Sequence, residues 1–154
     1  MANKFVFVPR EFRNIYEWQE ESYRTFKVED LKKYHTRLKK FNKTIRGQQF
    51  LGYKKQLLRR IHGLEVWIVD GNKLRSGVKA GDVDFTMGGH AYRYLYIPQY
   101  EIWIDDAYEK TEDLEWIIWH EYIERLLMLQ GKDYYEAHTY ASKLEIVQRK
   151  GDHW

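Results

Sequence analysis

His120, Glu121 and Glu124 stand within five consecutive residues, inside a run otherwise built of Trp116, Ile117, Ile118, Trp119, Tyr122, Ile123, Leu126, Leu127, Met128 and Leu129. A helix clothed in apolar side chains on nearly every face belongs in a protein centre, and polar groups there need partners. At about 100° per residue the three fall on one edge of such a helix, within an arc of roughly 100°. An unpaired carboxylate buried there costs on the order of several kcal/mol or is forced to take up a proton, and a bound cation removes both penalties. His120 and Glu124, one turn apart, can reach a single ion, while Glu121 stands beside them without having to ligate. His138 lies in a downstream run of Tyr, Ala and Ser where it has few other duties. A chain reversal at Gly131, which reads as a helix stop, would bring it back as the third ligand. His120, Glu124 and His138 then close a three-ligand site with an open position, the arrangement of a catalytic metal ion.

With no cysteine in 154 residues, disulfides, thiolate ligands and cysteine nucleophiles are excluded, and His and carboxylate must carry any metal chemistry. Zn2+ suits that donor set. Fe2+ or another divalent ion is also compatible with two His and one carboxylate, although the iron triad is expected more often on a β scaffold. Glu145, two turns beyond His138, is placed to orient a ligand histidine from behind. Glu136 has another duty: with Asp133 it spells an Asp-x-x-Glu capping box. His90 follows Met87-Gly88-Gly89, a flexible turn expected between two strands, where it would bind substrate or stabilise an oxyanion. Asp82, Asp84, Asp105 and Asp106 fall at strand ends as ordinary turn acids, and His35, His62 and His153 belong to no constellation.

These side chains need elements to hold them. Residues 112–130 and 134–149 read as two antiparallel helices joined by a short turn. Upstream, 64–69, 83–86, 91–97 and 101–104 read as strands, with Asp70-Gly71-Asn72 a strong turn signal, so a meander is expected. A short strand at 5–8, stopped by Pro9, and helices over 11–26, 29–44 and 48–62 come first. Leu31, Tyr34, Leu38, Phe41 and Ile45 make one apolar stripe, and Gly47 separates the last two of these helices. The order predicts an α+β fold with N-terminal helices, a small mostly antiparallel sheet and two C-terminal helices carrying the site. Length, and the absence of linker or repeat, predict a single domain over 1–154, with a basic helical part in 1–62 and the sheet and site helices in 63–154.

His120-Glu121-Tyr122-Ile123-Glu124 resembles the HExxH helix of zincin metallopeptidases, with Glu in place of the second His and a downstream His in place of the usual downstream acid. The resemblance implies a zinc-dependent hydrolase in which Glu121 is the general base that activates water, with a peptide or protein as the first substrate class to test. It also implies a small sheet lying against the site helix, whose edge strand holds an extended peptide; residues 100–105 are the candidate edge. A longer resemblance covers about residues 64–145, on the landmarks VWIVDGNKLR, DVDFTMGGHAYRYLYIP, EIWIDD and HEYIERLLMLQGKDYYEAHTYASKLE. It is similar to a phage and prophage domain with no assigned activity, described only as metallopeptidase-like. The residues leave a second reading open, a non-catalytic binding protein with a structural metal or a buried polar cluster.

Charge is split along the chain. Residues 1–62 carry 16 Lys plus Arg against 6 Asp plus Glu, whereas 63–154 carry 10 against 17. Lys32, Lys33, Arg37, Lys39, Lys40, Lys43 and Arg46, then Lys54, Lys55, Arg59 and Arg60, are expected on exposed faces of two helices. They are either solvated, in contact with nucleic acid or a protein partner, or docked on the acidic half. The 13 Tyr form no evident stacking platform. No segment is long and apolar enough to cross a membrane, and residues 1–10 lack the apolar core of a secretory leader, so a cytoplasmic setting is expected.

Overall fold

A computed structural model of the protein describes residues 30–76 and 85–151. Asp30 starts helix α1 (Leu31–Asn42), its carboxylate accepting the Lys33 N–H at 3.1 Å, and Thr44 does the same for helix α2 (Ile45–Leu51) through the Gly47 N–H at 3.0 Å. Strands β1 (Lys54–Ile61) and β2 (Leu64–Val69), a short helix α3 (Gly71–Ser76), strands β3 (Gly88–His90) and β4 (Glu101–Asp105), a 3-10 turn (Asp106–Tyr108), and helices α4 (Leu114–Leu129) and α5 (Tyr134–Gly151) follow. The strands join in the order β1-β2-β4-β3. The fold is α+β, with helices before and after a small mixed sheet among the described residues.

Two of the three pairings are antiparallel, but β2 and β4 run parallel, so the sheet is not the expected meander. A parallel pair needs a crossover, and α3 and β3 lie within it. Asp70 accordingly does not open a hairpin. Its carboxylate accepts the Lys73 N–H at 2.9 Å and caps α3.

Further expectations fail. The helix expected over 48–62 ends at Leu51, and Lys54–Ile61 is a strand. Helix preference of Lys, Gln, Leu and Arg amounts to about tenths of a kcal/mol per residue. A hairpin turn at His62 and Gly63, with φ of 46° and 83°, together with a ladder to β2, outweighs it. Residues 91–97 form successive turns rather than a strand: Arg93 and Tyr94 N–H groups both reach the His90 carbonyl, at 3.2 and 3.0 Å. Their alternating tyrosines serve two different clusters, Tyr92 with Met128 and Ala137, and Tyr94 and Tyr96 with Phe50, Phe85 and Trp103. Residues 100–105 supply β4, which lies inside the sheet and not at its edge; Ile102, Trp103 and Ile104 are buried in succession, as a strand covered on both faces requires. Gly47 falls within α2, and Ile45 is 83% exposed, so the apolar stripe stops at Phe41. The expected elements at 5–8 and 11–26, and residues 83 and 84 of the third expected strand, lie outside the described residues; Phe85 and Thr86 are not in a strand.

Helix α4 crosses one sheet face, where Ile117 and Ile118 pack on Leu64, Val66, Ile68, Ile102 and Ile104. Trp103 points to the opposite face with Val69, Leu74 and the tyrosines. Gly131, at φ 99°, stops α4, and the Asp133–Glu136 capping box forms as expected, with reciprocal bonds of 2.8 and 3.3 Å. Helix α5 then returns antiparallel along α4: Glu124 meets His138, His120 meets Glu145, and Asp113 meets Arg149.

Candidate metal centre

The α4–α5 hairpin delivers the expected set to one point. His138 Nδ1 lies 2.7 Å from Glu124 Oε2, His120 Nε2 lies 3.2 Å from the same oxygen, and the two imidazole nitrogens are 3.3 Å apart. Donor atoms at about 2.0–2.1 Å around a tetrahedral zinc are separated by roughly 3.3 Å, so two of the three separations already match and the third is a hydrogen-bonding distance. His120, Glu124 and His138 therefore fit a divalent ion by both donor type and spacing.

Behind them stands a second layer. Glu145 Oε1 is 3.0 Å from His120 Nδ1, which makes that nitrogen a donor and leaves Nε2 as the nitrogen that faces Glu124 and His138. Arg149 holds Glu145 at 2.9 Å and reaches Asp113 at 2.8 Å. Glu145 thus lies against His120, on the side away from Glu124 and His138.

The electrostatics show a cluster that demands positive charge. Burial pulls His120 down, but its hydrogen bonds to Glu124 and Glu145 prevail and hold it up at about 10. Burial alone would raise Glu124, yet hydrogen bonds from His120, His138 and His90 keep it well below the usual carboxylate range. A proton on His120 answers this demand; so does a cation. Glu121 behaves differently. Burial, followed by repulsion from Glu124, raises it to about 8, and its carboxylate makes no hydrogen bond among the described residues.

Glu121 lines a cavity of about 190 Å³ together with His120, Glu124 and His138. The far wall comes from Thr86, Met87 and Gly88, where the chain enters β3, and from Arg93 and Tyr134. Gly88 permits this close approach: a Cβ there would sit 2.9 Å from Ile117 Cγ2 and 3.2 Å from Glu121 Cγ. Met87, at φ 65°, is held left-handed at the rim.

His90 is placed otherwise than expected. It ends β3 rather than lying on a flexible turn, is fully buried, and bonds Glu124 Oε1 through Nε2 at 2.7 Å. A side chain so enclosed does not touch substrate or an oxyanion. Arg125 takes no part in the cluster; it donates to the Gln99 carbonyl at 2.6 Å and lies over the Tyr92 ring. Asp105 is buried against Arg75 at 2.8 Å, His35 bonds the Tyr92 hydroxyl at 2.9 Å, and His62 faces the Trp119 and Tyr122 rings. Asp82, Asp84 and His153 lie outside the described residues.

Two cavity residues escaped the sequence reading. Tyr134 stacks on His138 with its hydroxyl 3.3 Å from Nδ1, and burial, then the Glu124 charge, keeps that hydroxyl protonated. Its position one turn before His138 was the available signal. Arg93 lies over the Tyr94 and Tyr134 rings at 4.7 and 4.9 Å, and nothing in its tyrosine-rich run set it apart.

No family model, no curated protein and no solved structure matches the chain.

Proposed function

We propose that the protein is a zinc-dependent hydrolase of zincin-like design, with His120, Glu124 and His138 as ligands and Glu121 as general base. One observation carries this reading: three ligand atoms from two helices, spaced for one ion, lie on the wall of a cavity that a carboxyl group poised near neutrality also lines. When bound, the ion supplies Lewis acidity toward a water and a carbonyl oxygen. Glu121 accepts the proton of the attacking water on its carboxylate and returns it to the leaving amine. Tyr134, kept protonated, offers its O–H to the developing oxyanion. A peptide is the substrate class to test. The edge of β3 that no described strand covers, whose Gly88 lines the cavity, replaces residues 100–105 as the main-chain surface on which an extended peptide would pair.

Elemental analysis of the purified protein tests the ligands, with about one zinc per chain expected in the wild type and loss in His120→Ala and His138→Ala. Glu121→Gln should keep zinc and lose turnover on a peptide library. Zinc-free wild type after reconstitution removes the centre, and an active Glu121→Gln removes the base.

A second reading concerns the basic surface and is independent of the cavity. Lys54, Lys55, Arg59 and Arg60, on β1, are taken up by Glu101, Asp106, Glu115 and Glu65 of the acidic half. By contrast Lys32, Lys33, Arg37, Lys39, Lys40 and Lys43 are exposed and form no ion pair among the described residues. The proposed nucleic-acid contact therefore contracts from 32–60 to α1 and its end. Binding to duplex DNA should weaken steeply with salt, and reversing Lys32, Lys33 and Arg37 should abolish it, whereas no binding at low salt sinks it.

A further inference from the structure

Glu124 belongs to two groups of converging donor atoms, one with His120 and His138, the other with His90 and Glu121. Two cations bridged by one carboxylate, or one cation and one clamp, are the alternatives. The hydrogen on His90 decides between them. We infer that His90 is a positioning residue that reserves Glu124 Oε1 through an Nε2–H donor, leaving Oε2 alone for a single ion. This rests on the metal-centre reading above and narrows it to one ion per chain.

The argument turns on the backbone of Tyr92. Its N–H donates to His90 Nδ1 at 3.1 Å, in a site where both groups are buried. Two hydrogens cannot occupy that gap, so Nδ1 carries the lone pair and Nε2 carries the hydrogen. The Tyr92 N–H is not free to turn aside, because the Arg93 and Tyr94 N–H groups are tied to the His90 carbonyl in the same turn. Nε2–H then faces Glu124 Oε1 at 2.7 Å, a charge-assisted bond. A histidine whose only site-facing nitrogen bears hydrogen has no lone pair to give a metal.

His120, one residue before Glu121 and one turn before Glu124, is placed in the opposite way. Its outer nitrogen faces the Glu145 carboxylate, so hydrogen stays outward and the inner nitrogen is the one that would exchange its proton for an ion. The fold thus gives the inward nitrogens of the two histidines contrary surroundings, by presenting His90 with a backbone donor and His120 with a carboxylate on the outer side. His90 fixes the plane of the Glu124 carboxylate, and Oε2 is the oxygen shared by His120 and His138.

The test is long-range ¹⁵N–¹H correlation of the histidine rings in the whole chain, without metal and with zinc, alongside a zinc titration of wild type, His90→Gln and His90→Ala. The Nε2–H tautomer of His90 is expected in both states, with one zinc per wild-type chain. His90→Gln, which can still donate to Oε1, should retain affinity within several-fold. His90→Ala should still take one zinc but bind it ~10–100-fold more weakly, as loss of an orienting partner does. Two zincs in the wild type falling to one in His90→Gln, or an Nδ1–H tautomer at His90, overturns the inference. A wild type that binds no zinc overturns the metal centre instead, and the His90 signal of the metal-free chain still decides the clamp.

Discussion

Glu121 and Glu124 are one turn apart on the same buried helix edge and titrate in opposite directions. Three imidazoles surround Glu124, whereas the Glu121 carboxylate accepts no hydrogen bond among the described residues and has the Glu124 charge beside it. The consequence is measurable without any substrate. Because burial and Glu124 raise Glu121 from 4.5 to about 8, the folded chain binds more protons here than the unfolded one. That contribution to stability is complete below about 4.5 and is lost as pH rises through about 8. Glu121→Gln cannot ionise, so the metal-free variant should match wild type near pH 4.5 and exceed it above pH 8, by an amount on the order of a few kcal/mol. Urea unfolding at the two pH values, with chelator present, checks this. Equal curves at pH 8 would mean that the Glu121 carboxylate is already solvated, and would take away the poised base.

At the scale of elements, the helical hairpin was legible from sequence and the sheet was not. Gly131, the Asp133–Glu136 box and the apolar run of α4 are local signals, each sufficient to end, start or bury a helix, so His138 could be brought to His120 by counting turns. Strand β1 had no comparable signal. Its residues prefer helix locally, and the partners that hold it extended, β2 and the acids beyond, are visible only once folded. His90 was misplaced for a related reason: Gly88 and Gly89 suggested flexibility, but they are small because α4 and Tyr94 press against them. That pressure gives a prediction. Gly88→Ala must push Ile117 and the stem of Glu121 aside, at a cost of about 1–3 kcal/mol. Gly131→Ala is strained by its positive φ, at about 1–2 kcal/mol, yet no atom lies within 4 Å of the added methyl. Both should lower Tm. Only Gly88→Ala should disturb the cavity, read as altered turnover or Glu121 titration; equal effects of the two would mean that β3 does not brace the site.

At the scale of the molecule, the basic residues of α1 and β1 fall into two groups that sequence could not separate. The β1 cations are held by acids brought to them by the sheet and α4, while those of α1 remain outside. The four β1 pairs lie at the surface, Lys54–Glu101 part-buried and the others more open, and none of them involves α5, so they do not explain what joins α5 to the rest. That joint is built from a small apolar cluster, Met128 and Ala137 with Tyr92, and from the polar cluster itself, in which His138 and Glu145 of α5 meet His120 and Glu124 of α4. An ion bound by His120, Glu124 and His138 would tie the two helices directly, and its binding energy would add to folding stability. With free zinc at a hundred times its dissociation constant the gain is about 2.7 kcal/mol, which corresponds to a rise in Tm of roughly 5–10 °C for a chain of this size. Thermal unfolding with and without zinc should show that rise in the wild type and in Glu121→Gln, which keeps all three ligands. It should vanish in His138→Ala, where α5 no longer contributes a ligand. A shift that persisted in His138→Ala would place the ion elsewhere, and with it the chemistry assigned to this hairpin.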